Sequence, residues 1–176
     1  LSTADENVNE YKMALAMLVS VRGYPQIYYG NEIMLEGIAG SYEGHRFTFP
    51  GGWKDDKRDA FTREDRTKEE NEVFDYLRKL LHYRKDNSVL QNGKMTQFIP
   101  ENGVYVFFRH NAEKTVMVIT NNNENATILD TKRFAERIKD FEMGVEVTSQ
   151  RPYDLKNPVE IPGKTVLVLE LGFWME

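Results

Sequence analysis

One short apolar run stands between two amphipathic helices in the first half of this chain, and that arrangement restricts the fold more than any other feature. The run is Gln26, Ile27, Tyr28 and Tyr29, closed by Gly30. Gly23 sits where a left-handed helix cap belongs, Pro25 follows as a stop, and the rings and branched Ile27 favour a strand. Upstream, Asn7 and Glu10 have capping-box spacing, and Tyr11, Ala14, Leu15, Leu18 and Val19 recur at helical spacing. Downstream, Thr67 and Glu70 form a second capping box, and Val73, Phe74, Leu77, Leu80, Leu81 and Arg84 carry a helix to about Lys85. A lone strand leaves two edges unpaired and cannot cover two helices. The first half therefore needs more protein, and a parallel sheet with its other strands upstream supplies it. A truncated α/β barrel has this layout.

Residues 31–66 lose any period and collect Gly37, Gly40, Gly44, Pro50, Gly51 and Gly52 among many charges, which predicts a long irregular segment. From residue 95 the period changes. Short β-prone runs at 95–99, 104–109, 115–121, 145–149, 159–161 and 165–171 predict an antiparallel β domain. Val104, Val106 and Phe108 lie on one face and Tyr105, Phe107 and Arg109 on the other, so both faces need cover, as in a two-layer sandwich. Residues 110–114 close a hairpin, and 131–138 predict a helical turn with Phe134 and Ile138 inward. The fold class is α/β plus all-β: residues 1–90 are expected to be the end of a (β/α)8 barrel, and residues 91–176 an antiparallel β-sandwich.

Composition excludes some functions. A net charge of −5, from 23 basic and 28 acidic residues, offers no basic field for nucleic acid. With no cysteine there is no disulfide framework, thiolate nucleophile or thiolate metal site. The longest apolar run, about residues 14–19, is much shorter than the roughly 20 residues that span a bilayer. His45, His82 and His110 are too scattered for a metal set, so neither metal nor cofactor is expected. Asn125-Ala126-Thr127 fits a glycosylation acceptor, a tripeptide common by chance. The chain opens on Leu1 and Ser2 without an initiator Met and reads as a fragment.

The run Arg22-Gly23-Tyr24-Pro25-Gln26-Ile27-Tyr28-Tyr29-Gly30-Asn31-Glu32 resembles the eighth barrel strand and its exit in α-amylase-family glycoside hydrolases, with every fixed position of R-G-x-P-x-x-Y-Y-G-x-E present. Phe49-Pro50-Gly51-Gly52-Trp53, Arg66-Thr67, His82-Tyr83-Arg84-Lys85 and Asn92-Gly93 are similar to the neopullulanase and cyclomaltodextrinase branch, which includes periplasmic bacterial members. The resemblance leaves both periplasmic or secreted and cytoplasmic locations open. It implies that residues 8–21 are the helix after strand seven, 26–29 strand eight, 67–85 the last barrel helix and 95–176 the C-terminal sandwich. It also implies that the nucleophile, the acid/base and the transition-state-stabilising Asp all lie upstream of Leu1.

The implied function is part of a retaining hydrolase of α-1,4 glucosidic bonds, with an α-glucan oligosaccharide and the rest of the barrel as partners. Retaining hydrolysis needs two carboxyls about 5 Å apart. Glu69, Glu72 and Asp75 fall on a solvated helix face, and Asp55, Asp56, Asp59, Glu64 and Asp65 in charge-mixed loops, so no catalytic pair is expected and the segment alone is expected to be inactive. Three residues are candidate sugar contacts. Glu32 lies just past the C-terminal end of the predicted strand, where barrel enzymes build their sites, although it could instead bind loop backbone or an arginine. Arg46 lies where the family often places an Asp and an Arg four residues apart; here Tyr42 replaces the Asp and Glu43 is displaced by one. Trp53 could stack on a glucosyl ring or plug the loop. The alternative is a non-catalytic β-sandwich module, either carbohydrate-binding or purely structural.

Overall fold

The computed structural model describes residues 7–37 and 47–173. Helix α1 spans Val8–Ser20 and opens on Asn7, whose side chain accepts from the Asn9 and Glu10 amides. Helix α2 spans Lys68–Asp86 and carries the full capping box: Thr67 accepts from the Glu70 amide while the Glu70 carboxylate accepts from the Thr67 amide. Both helices begin where the sequence places them. A short helix α3, Ser88–Asn92, follows, in a stretch that Asn87 and Gly93 mark only as a connection.

The rest is antiparallel β structure. Strands β1 (Lys94–Gln97), β2 (Val104–His110), β3 (Thr115–Asn121), β5 (Met143–Glu146), β6 (Pro152–Asp154) and β8 (Thr165–Gly172) form a six-stranded sheet ordered β1-β2-β3-β8-β5-β6. Strands β4 (Thr127–Leu129) and β7 (Val159–Ile161) pair as a separate ribbon. Between β4 and β5 lie a 3-10 turn, Thr131–Phe134, and helix α4, Ala135–Ile138. The short β4 and β6 escape a pattern search because β4 buries one residue and β6 none, whereas the equally short β7 alternates with Val159 and Ile161 buried. Strand β5 ends at Glu146 instead of running to residue 149, because the Glu146 carboxylate accepts from the Thr148 and Ser149 amides and bends the chain into a turn.

Both faces of the large sheet are covered, as the alternation in β2 requires. Phe107, Val116, Val118 and Val168 are fully buried against Leu15, Val19, Val73 and Leu80 of the two long helices. On the opposite face Phe108, Met117, Ile119 and Leu169 pack under Phe134 and Ile161. The ring of Phe98 meets Phe134 edge-on at 4.9 Å, an arrangement that aligns ring quadrupoles. Phe107 and Phe108 are neighbours in sequence and belong to different cores. Each such ring contributes roughly 1.5–3 kcal/mol of burial. The sandwich is thus helices, sheet and ribbon in sequence, and residues on both sides of position 90 share the helix-facing core.

The lone strand predicted at residues 26–29 does not form. All strand pairs among the described residues are antiparallel and none includes this segment. Its Tyr28 amide donates instead to the Asn31 side chain at 2.8 Å, and Tyr28 and Tyr29 are exposed. A segment without a ladder partner satisfies its backbone locally.

Candidate functional site

The segment that carries the strand-eight pattern begins at the end of α1, and two buried arginines hold that end. Arg84 of α2 donates to the carbonyls of Val19 at 2.7 Å and Gly23 at 2.6 Å. Arg109 of β2, 1% exposed, donates to Ser20 at 2.7 Å, Val21 at 3.0 Å and Gly93 at 3.1 Å. Helix α1 has no basic residue in its own last turn, so these guanidiniums supply the positive charge that a helix C-terminus favours. Burial lowers both pKa values, and Arg84 and Arg22 push Arg109 further down. An arginine nevertheless stays charged at neutral pH, so the charges rest on aligned carbonyl dipoles.

Past the clamp the chain turns sharply. Gly30 has φ 86°, and a Cβ there would lie 2.6 Å from the Leu35 Cβ, so both backbone conformation and space call for glycine. The 3-10 turn Asn31–Ile33 follows and carries Glu32. Tyr11 of α1 donates its hydroxyl to the Asn31 carbonyl at 2.7 Å, which fixes the turn to the helix. The Tyr11 phenol is raised in pKa chiefly by burial, the Asn31 side-chain amide, which donates to the phenol oxygen at 3.4 Å, opposing the shift and the negative charge of Glu32 adding to it. Glu32 is half-buried within reach of that ring's field.

Residues 47–66 form a loop tied by carboxylates. Asp56 accepts from the Gly51 and Trp53 amides at 3.1 and 3.0 Å, and Asp65 accepts from the Asp59 amide at 2.8 Å. Arg58 grips Glu70 through two hydrogen bonds of 2.8 and 2.7 Å, and Arg63 reaches Asp75 at 2.7 Å. The Arg58 hydrogen bonds lower the Glu70 pKa, and the Arg63 hydrogen bond lowers that of Asp75. A general acid needs the opposite shift. Glu72 is paired with Lys12. Among the described residues no group of three or more His, Asp or Glu side chains gathers as a metal set.

Glu32 and Trp53 sit on separate segments, joined where the Tyr29 hydroxyl donates to the Phe47 carbonyl at 3.1 Å. Trp53 is 73% exposed. Arg46 lies outside the described residues. Around these positions Tyr24, Tyr28, Tyr29, Phe47 and Phe61 are also exposed, with Tyr28 and Tyr29 rings at 4.6 Å and Phe49 and Phe61 rings at 4.6 Å. Sequence reading missed the arginine clamp, although its signal was present: Arg84 falls on the apolar stripe of α2, and Arg109 follows two phenylalanines in a strand.

Residues 95–170 match the family model described as the Cyclo-malto-dextrinase C-terminal domain. A maltogenic α-amylase of Bacillus acidopullulyticus is 30% identical over 130 residues, 72% of this chain and 20% of that protein. A cyclomaltodextrinase of Thermoanaerobacter pseudethanolicus is 26% identical over 129 residues, 73% of this chain and 20% of that protein. The chain thus spans about a fifth of the curated relatives it matches. Among solved structures, an Anoxybacillus α-amylase superposes with a TM-score of 0.71 at 20% identity, over 99% of this chain and 35% of that one. A Geobacillus thermoleovorans α-amylase complexed with acarbose gives 0.65 at 20% identity, over 97% and 35%. The helix-backed antiparallel sheet is a C-terminal domain of the amylase type. Residues 95–170 thus carry a C-terminal domain of the cyclomaltodextrinase type, and the chain is similar to the corresponding part of enzymes of the neopullulanase and cyclomaltodextrinase branch of the α-amylase family. No helix among the described residues is long and apolar enough to cross a membrane.

Proposed function

We propose that this chain works as the C-terminal part of a longer retaining α-glucan hydrolase that cleaves α-1,4 bonds in starch-like substrates. In this reading residues 1–90 complete a (β/α)8 barrel and residues 91–176 brace it. Residues 26–29 then become the eighth strand once neighbouring strands satisfy their backbone, and Glu32, Arg46 and Trp53 face the glucan. The observation that carries the reading is the contrast at the end of α1. Two buried arginines, one from α2 and one from β2, fix Val19 to Gly23, while the residues just beyond expose Tyr24, Tyr28 and Tyr29. Such a cluster of exposed rings marks a surface that meets other protein or ligand. The domain match and the relatives' names support an α-glucan as the substrate class.

The three carboxylates of the reaction are assigned to the upstream barrel, so the 176-residue chain is expected to release no maltose or panose from soluble starch or pullulan. Measurable release by the purified chain overturns that assignment. In the longer enzyme, Trp53→Ala is expected to raise KM for maltooligosaccharides with kcat nearly unchanged, as loss of uniform binding requires. An unchanged KM removes Trp53 from the glucan site.

A further inference from the structure

A polar cavity of about 170 Å³ opens between the start of α1, the middle of α2 and the β5 and β8 ends of the large sheet. Asn9, Lys12, Tyr76, Glu146, Ser149 and Thr165 contribute to its lining. Glu146 is 4% exposed and splits its carboxylate between two tasks. Its Oε2 accepts from the Thr148 amide at 3.0 Å, the Thr148 hydroxyl at 2.8 Å and the Ser149 amide at 2.6 Å. Its Oε1 is buried and has no hydrogen-bond partner among the described residues. The Tyr76 hydroxyl, lining the same cavity, is also buried and unpartnered. Two buried polar atoms left open in one small space are costly unless something occupies it.

The surrounding charges select the occupant. Lys12 reaches Glu72 at 2.8 Å, and Lys164 reaches Glu10 at 3.0 Å and Glu124 at 3.2 Å. An added cation meets these two lysines, and an added anion meets Glu146. Glu146 Oε1 accepts only, so the ligand must donate to it. Burial, with Glu146 adding to the effect, raises the Tyr76 pKa and keeps the phenol protonated, able to donate or accept. A neutral molecule with adjacent hydroxyls meets both groups. A single bridging water does not fill the space, because a water takes about 30 Å³ in the liquid.

We propose that this cavity is a binding site for one hexose unit of a neutral saccharide, gripped by Glu146 and Tyr76 and sharing no lining residue with the strand-eight segment. The choice of an α-glucan as the saccharide rests on the proposed function; the hydroxyl chemistry does not. The test is a titration of the 176-residue chain with maltose, followed by backbone amide NMR. Shifts centred on Thr148, Ser149 and residues 165–167 are expected. Glu146→Gln keeps an oxygen for the turn amides and replaces the free acceptor with a donor; Tyr76→Phe removes only the hydroxyl. Each is expected to weaken maltose binding about tenfold, the value of one net hydrogen bond, with the native amide spectrum retained. A response to cellobiose in place of maltose, lost in both variants, supports the site and counts against the α-glucan reading. No response to either sugar, or a response that both variants leave unchanged, overturns the site and leaves the hydrolase assignment to its own assay.

Discussion

The loop of residues 47–66 and the strand trio β2, β3 and β8 are held by different forces. The loop is pinned by Asp56, Asp65 and the Arg58–Glu70 fork, and turns Trp53 and Phe61 outward. The strands bury Phe107, Val118 and Val168 on one side and Phe108, Met117 and Leu169 on the other. Rings in the loop contribute little to the stability of this chain, and rings in the strands contribute much. Aromatic residues kept rigid but uncovered serve contacts beyond the segment that presents them.

Substitutions can sharpen or break that contrast. The largest effect is expected for Phe107→Ala, which empties a fully buried site and should lower unfolding free energy by roughly 3–5 kcal/mol in urea titration. Arg109→Met should follow, at about 3 kcal/mol, because the Ser20, Val21 and Gly93 carbonyls lose charged donors in a dry environment. A change under 1 kcal/mol there would mean the clamp is dispensable. Thr67→Ala should cost about 1 kcal/mol by opening the capping box of α2, visible as a lower Tm. Trp53→Ala should stay within about 0.5 kcal/mol, as befits an exposed ring. A larger loss would show that the loop depends on it.

Acid should act on the loop side of the comparison. The Glu70 carboxyl is held below its ordinary pKa chiefly by the Arg58 hydrogen bonds. The folded state therefore binds fewer protons than the unfolded state across the interval between the two pKa values. This contribution is fully present above the ordinary carboxylate range and is lost as pH falls through the lower folded value. Glu70→Gln should flatten that part of the stability profile, measured by chemical unfolding at stepped pH.

The periodic parts of the fold were legible in sequence because burial has a period. The stripe of α2 and the alternation of β2 both reappear as cores. Strands β4 and β6 were not legible, since neither carries the buried-exposed-buried alternation that marked the equally short β7. Residues 26–29 show the converse: a strand pattern is a statement about neighbours as much as about the segment, and here the Tyr28 amide turns to Asn31. The arginine clamp was hidden for a different reason. Arg84 and Arg109 each look like one polar residue on an apolar face, and only their convergence on the end of α1 gives them a role. Of the candidate contacts, Glu32 and Trp53 were visible as motif positions, while the free oxygen of Glu146 becomes apparent only in three dimensions.

The strand order β1-β2-β3-β8-β5-β6 also bears on synthesis. Within this sheet the strand made last is the one that joins the β1-β2-β3 meander to the β5-β6 hairpin. Until Thr165–Gly172 emerges, the nascent chain holds two half-sheets with open edges, each able to pair with another polypeptide. A nonsense codon before residue 165 should therefore yield an aggregating product rather than a shortened but folded sheet. The inner position of β8 makes assembly of this sheet a check that translation has passed residue 172.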